Sequence, residues 1–188
     1  MTTIVVVRKG DSAVIAADSL TTFGTTRLAP AYDRSPQKVV AYRESFIGVA
    51  GSAAHQLVLE NLLERNPSLD FAGRPAIYET FRKLHPLLKD EAFLNPKEEE
   101  DDPYESSQMT VMIANPSGIF AVYSMREVFE FDRFWAIGSG RDFALGAMYS
   151  VYPQAVEATA VAEAGVIAGA EFDTGTSLPL QLHEVKLR

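Results

Sequence analysis

Cysteine is absent from this chain of 188 residues, which excludes disulfides, thiolate metal sites and a cysteine nucleophile. Histidine occurs only three times, and His55, His85 and His183 lack the spacing of a metal cluster. No run approaches the roughly 20 apolar residues needed to cross a bilayer. The start, Met1 to Lys9, has neither a basic leader nor a small-residue cleavage site. Basic residues are also scarce, 17 against 25 acidic ones for a net charge of −8. Nucleic-acid binders gain affinity by neutralising phosphates with Lys and Arg, so this balance argues against that class. The expectation is a soluble cytoplasmic protein that engages neither membrane nor nucleic acid. Hydrophobic residues at 47% and charged ones at 22% are ordinary for a globular fold. At this length roughly 70% of the unfolded surface can be buried, enough for a single domain over residues 1–188.

The first apolar run, Thr3 to Val7, is β-branched and begins almost at the terminus; Ser12 to Ala17 follows after a Lys-Gly-Asp turn, which predicts a hairpin. Residues 21–37, rich in Thr, Gly, Pro and Ser, read as a loop. Val39–Tyr42 and Ser45–Ala50 predict a second hairpin. Ser52 then caps a helix over 53–65 with Leu57, Leu59, Leu62 and Leu63 as its apolar stripe. Pro75 opens a second helix to about Lys89 that buries Ile77, Phe81, Leu84, Leu87 and Leu88. Residues 95–107 contain an acidic run at 98–102 that cannot bury enough apolar surface to pack, so they read as a solvated insertion. Strands are expected at 108–114, 119–123, 128–131 and 134–137, helices at 142–151 and 155–168, and a last strand at 178–185. Hairpins alternating with helix pairs indicate an α+β protein rather than βαβ units.

Thr2 by itself is an ordinary second residue. Removal of Met1, which a small penultimate residue permits, would leave a hydroxyl and a free α-amine on one residue. An amine with an ordinary pKa of about 7.7–8.0 can take the hydroxyl proton, so nucleophile and general base would coincide. Thr-Thr-Ile-Val-Val-Val-Arg at 2–8 and Val-Ile-Ala-Ala-Asp at 14–18 resemble the opening of the proteasome β-subunit and HslV families of N-terminal nucleophile hydrolases. Gln37-Lys38-Val39, the stretch Gly48 to Ala54, and Ala136-Ile137-Gly138-Ser139-Gly140 continue the resemblance in order. Residues 101–107 look most like the small bacterial branch called betaproteobacterial proteasome homologues. Each motif is weak alone; the ordered set, starting at the second residue, is specific.

The resemblance implies roles. Thr2 supplies the nucleophile and base, Lys38 lowers the pKa of the amine, and Asp18 pairs Lys38. Gly51 donates a backbone N–H to the oxyanion, a contribution worth ~10²–10³ in rate in comparable enzymes. Ser139 bonds the amine. The family's later aspartate, with a serine three residues on followed by glycine, is matched to Glu171 and Thr174, with Asp173 as the alternative carboxylate. Leu20, Thr22, Val49 and Ala53 correspond to residues lining the S1 pocket and the strand that pairs with the peptide, a small-to-medium apolar site. Each position also has an ordinary reading: a turn carboxylate at Asp18, a surface lysine at Lys38, a strand-to-helix glycine at Gly51, an N-cap at Ser139. Gly138-Ser139-Gly140 falls short of a nucleophile elbow.

The implied fold is a four-layer αββα sandwich, two antiparallel sheets flanked by helix pairs. The implied assembly is a set of homo-oligomeric stacked rings, closed heterologous contacts, acting on peptides or unfolded proteins, with an ATPase unfoldase as a partner the family allows. No cofactor is required, although carbonyls near Gly169 to Thr174 match positions that bind a structural cation in family members. Two rivals stand beside the threonine peptidase: an N-terminal nucleophile amidase acting on a small molecule, and a silent ring-forming homologue that retains Met1.

Overall fold

A computed structural model of the chain describes residues 1–97 and 99–188; Glu98, the first residue of the expected acidic run, lies outside the described residues. The fold is α+β. Strands β1 (Thr3–Lys9) and β2 (Ser12–Ala17) form the predicted hairpin at the centre of a four-stranded antiparallel sheet. Its outer strands are β10 (Phe134–Gly138), beside β1, and β11 (Gln181–Lys186), beside β2. A five-stranded antiparallel meander consists of β5 (Val39–Tyr42), β6 (Ser45–Ala50), β7 (Thr110–Asn115), β8 (Gly118–Val122) and β9 (Val128–Phe131). Helices α1 (Ala53–Arg65) and α2 (Arg74–Asp90) intervene between β6 and β7, while α3 (Arg141–Val151) and α4 (Ala158–Phe172) intervene between β10 and β11.

Three apolar clusters explain the patterning. Ile4 and Val6 of β1 join Ala13, Ile15, Met112, Ile119 and Ala121 in a cluster drawn from both sheets. Val5 and Val7, the alternate residues of β1, pack instead with Ala144 and Met148 of α3 and Val161 and Val166 of α4. Because side chains alternate across a strand, a strand covered on both faces must be apolar at every position, and Ile4 to Val7 are all fully buried. Each such side chain contributes about 1.5–3 kcal/mol of transfer free energy. The third cluster sets Leu59, Leu62 and Leu63 of α1 and Ile77, Phe81, Leu84 and Leu88 of α2 against Ile47, Val111, Ile113 and Phe120.

The structure departs from the sequence expectations in several places. Residues 21–37 are not loop throughout: β3 (Thr21–Phe23) and β4 (Thr26–Leu28) make a short two-stranded sheet, followed by a 3-10 turn at Pro30–Tyr32. Three-residue strands are too short to show a period. Leu57 is 68% exposed and faces away from the α1 stripe, while Leu87 is only partly buried. Helix α4 starts and ends several residues later than expected, at Ala158–Phe172. The last strand begins at Gln181, past Pro179, which has no N–H to give a ladder.

Candidate active site

The β1–β2 hairpin brings Thr2 and Asp18 together. In the antiparallel register Ile4 faces Ala17, so the residue before β1 meets the residue after β2, and Asp18 N–H donates to Thr3 O at 3.2 Å. The Asp18 carboxylate is fully buried and saturated with donors. Its Oδ1 accepts from Thr2 Oγ1 at 2.7 Å, Thr3 N–H at 3.0 Å and Lys38 Nζ at 2.7 Å. Its Oδ2 accepts from the Leu20 and Ser177 N–H groups at 3.0 and 3.2 Å. Lys38, just before β5, reaches across from the other sheet and donates to Thr2 Oγ1 at 2.9 Å. Burial pushes the Lys38 ammonium below its ordinary pKa, and the charge and hydrogen bond of Asp18 oppose that shift. A cation, an anion and a hydroxyl thus meet within hydrogen-bond distance on three buried side chains.

A second network surrounds the Thr2 nitrogen. Thr2 N–H donates to Ser139 Oγ at 3.2 Å, and Ser139 Oγ donates to Asp173 Oδ2 at 2.7 Å. Thr176 Oγ1 donates to the same oxygen at 2.6 Å and lies 2.8 Å from Thr3 Oγ1. Burial works against the charged form of Asp173, but hydrogen bonds from Thr176, Ser139 and the Gly175 N–H outweigh it and hold the carboxyl below its ordinary pKa. Thr3 takes part in both networks, through its N–H to Asp18 and its hydroxyl to Thr176. Close backbone approach at Gly138 lets the terminus lie this deep. A Cβ at Gly138 would fall 2.1 Å from Thr2 O, and its φ of +93° is a conformation that side chains rarely adopt.

Expected positions and observed ones differ at the end of α4. The carboxylate at Ser139 is Asp173, the alternative considered, and the hydroxyl three residues on is Thr176; Glu171 and Thr174 are exposed. Asp173 caps α4, its N–H bonded to Gly169 O, and so projects off the helix end. Glu171, two residues back, is turned by about 200° around the helix. The family's glycine, matched to Gly175, drew the register two residues early. Asp173-x-x-Thr176, with Ser177 in the glycine's place, was the signal available, and the Thr3 and Ser177 contacts to Asp18 carried none.

The remaining expected residues line one cavity of about 280 Å³ that contains Thr2, Lys38, Leu20, Thr22, Val49, Gly51 and Ala53, together with Met1 and Phe23. Leu20 and Val49 are buried in its wall, while Gly51 and Ala53 lie exposed at its rim. Strand β3 borders it and pairs only with β4 among the described residues, leaving one strand edge beside the cavity. Ser52 caps α1 in a reciprocal box with His55, whose Nδ1 accepts the Ser52 N–H at 3.2 Å; His55 is therefore a capping residue. Met1 packs against Gly175, where a Cβ would fall 2.1 Å from the Met1 Cβ. Among the described residues no three His, Asp or Glu side chains are grouped to hold a metal. Gly169 O, within the stretch of carbonyls expected to hold a cation, accepts the Asp173 N–H.

No family model matches the chain, and no curated protein matches it. Among solved structures it is similar to Thiobacillus denitrificans BPH, with 37% identity and a TM-score of 0.93 over 99% of this chain and 98% of that one. It is equally similar in sequence, 37%, to Thiobacillus denitrificans BPH in complex with epoxomicin, with a TM-score of 0.89 over 99% of each chain. It also resembles eukaryotic HslV from Trypanosoma brucei, with 20% identity and a TM-score of 0.71 over 98% of this chain and 99% of that one, a likeness of fold.

Proposed function

The chain belongs to the proteasome β-subunit and HslV family of N-terminal nucleophile proteins, and on that premise we propose that it is a threonine-type endopeptidase subunit with Thr2 as nucleophile. The observation that carries the proposal is the Thr2 hydroxyl held between Lys38 Nζ at 2.9 Å and Asp18 Oδ1 at 2.7 Å, in the wall of an open cavity.

The reaction begins once Met1 has been removed and the Thr2 nitrogen is an amine. A peptide adds as a strand along the free edge of β3, held by backbone hydrogen bonds that tolerate varied sequence. An apolar P1 side chain enters between Leu20 and Val49. The α-amine takes the hydroxyl proton as Thr2 Oγ attacks the scissile carbonyl carbon. The oxyanion of the tetrahedral intermediate accepts the Gly51 N–H. Collapse breaks the C–N bond, the ammonium returns its proton to the leaving amine, and an ester remains on Thr2. Water then attacks the ester carbonyl carbon, giving a proton to the amine; collapse breaks the bond from that carbon to Thr2 Oγ, the ammonium returns the proton to Oγ, and the acid product leaves. Lys38 keeps the amine unprotonated by charge repulsion and shares the developing charge on Oγ; Asp18 keeps Lys38 paired. Ser139 and Asp173 orient the amine, and no step uses a metal.

The three apolar clusters fit a single domain built as a four-layer αββα sandwich, helix pair, sheet, sheet, helix pair. Stacked rings of this subunit in the cytoplasm, fed by an ATPase unfoldase, would confine a peptidase of broad preference. Peptide hydrolysis by wild type and Thr2→Ala, with Met1 removal read by intact mass, tests the proposal. Activity is expected only in the trimmed wild type, and epoxomicin should inhibit that activity. Equal hydrolysis by Thr2→Ala refutes it.

A further inference from the structure

Asp18 and Lys38 belong to different sheets, so their contact depends on how the two sheets are held at this end. Asp18 follows β2 of the four-stranded sheet, and Lys38 precedes β5, an outer strand of the five-stranded one. The side chain of Gln181 spans that gap. Its backbone opens β11 and pairs with Ala17, the residue before Asp18. Its Oε1 accepts the N–H groups of both Lys38 and Val39, each at 3.1 Å. Its Nε2 donates to Val39 O at 3.0 Å. The carboxamide thus occupies the outer N–H and C=O of Val39 as a neighbouring strand would, and takes the Lys38 N–H as well.

The amide is itself held. Gln181 Nε2 lies 3.0 Å from His183 Nε2, and since an amide nitrogen only donates, that imidazole nitrogen is the acceptor. His183 stacks on Phe46 at 4.5 Å with 14° between the rings, and burial lowers its pKa, which favours the neutral accepting form.

We infer that Gln181 is a positioning residue of the site, a side-chain clamp that ties the backbone of Lys38 to the strand flanking Asp18 and so fixes the ammonium beside Thr2. The inference rests on the peptidase reading for its consequence in turnover, though not for the clamp itself. A displacement of the ammonium by about 1 Å is enough to cost ~10²-fold in rate, and it leaves peptide binding along β3 untouched. A displaced cation also repels the protonated amine less, so the amine pKa rises toward its ordinary value.

The test compares Gln181→Leu, of similar volume, and Gln181→Glu, which keeps an acceptor for the two N–H groups, with wild type trimmed of Met1. For Gln181→Leu, kcat is expected to fall ~10²-fold with KM within about twofold, and the acid limb of the pH–rate profile to move to higher pH. Gln181→Glu should recover part of the loss. A second readout needs no catalysis: in thermal unfolding, Gln181→Leu should cost less in a Lys38→Met background than in wild type. Additive losses in that cycle overturn the clamp, as does a Gln181→Leu enzyme with wild-type kcat and an unmoved acid limb. Activity surviving in Thr2→Ala would instead sink the peptidase reading and leave the cycle to judge Gln181.

Discussion

Removing either member of the Asp18–Lys38 pair should abolish turnover, yet the two losses should differ in stability, and the structure gives the order. In Asp18→Ala the Lys38 ammonium stays at a position only 10% exposed with Thr2 Oγ1 as its remaining side-chain partner. Three backbone N–H groups, of Thr3, Leu20 and Ser177, lose their acceptor at the same stroke. Stranding one member of a buried pair costs about 3–5 kcal/mol, and orphaned donors add to that. In Lys38→Met the Asp18 carboxylate keeps the Thr2 hydroxyl and all three N–H donors, so both of its oxygens remain hydrogen-bonded. The loss reduces to one charge-assisted hydrogen bond, about 1.5–3 kcal/mol, offset in part because no buried ammonium remains to be desolvated.

The gap between the variants is therefore about 2 kcal/mol, and at this chain length about 4–8 °C in Tm. Asp18→Asn, which retains one acceptor oxygen, should fall between them. Differential scanning calorimetry at one fixed protein concentration reads the gap, since any assembly makes Tm depend on concentration. Equal Tm values, or a lower one for Lys38→Met, would refute Asp18 as the hydrogen-bond anchor of the site.

Three further outcomes follow from the geometry. Because burial lowers the Lys38 pKa below 10.5, the unfolded chain binds more protons between that lowered value and 10.5, so wild-type stability gains a rising component with pH there; urea unfolding of Lys38→Met over the same range should lack it. Asp173→Asn should lower kcat by about tenfold or more through a misoriented amine, whereas Glu171→Gln, on the exposed side of α4, should leave steady-state kinetics unchanged. Gly138→Ala sets a Cβ 2.1 Å from Thr2 O at a φ of +93°, and should cost about 1–3 kcal/mol in denaturant unfolding along with most of the activity.

The sequence made much of this legible because two kinds of signal were strong. Ile4 to Val7 are apolar without interruption, as a strand covered on both faces requires, and Thr2, Asp18 and Lys38 fall within an ordered set of motifs that resembles the proteasome β-subunit and HslV families. Signals failed where geometry is local or long-range without a residue type of its own. The β3–β4 hairpin is too short for a period. Asp173 lies at the end of a helix whose boundary alanines and glycines do not mark, and a glycine pulled the register toward Glu171. Gln181 carries no motif, since an amide that imitates a strand neighbour looks like any surface glutamine until two sheets are laid side by side.

Thr3, fully buried between the two networks, gives the site a property that neither half has alone. With its N–H on Asp18 and its hydroxyl on Thr176, it closes a ring of hydrogen bonds running from hydroxyl to carboxylate, through the chain, and back by Thr176, Asp173 and Ser139 to the nitrogen. Polarisation at one point of such a ring is felt at the others. Damage to the Lys38 side and damage to the Asp173 side should therefore fail to multiply in the rate. Thr3→Val, which keeps the N–H and removes the hydroxyl, would open the ring and let the two sides act as independent parts.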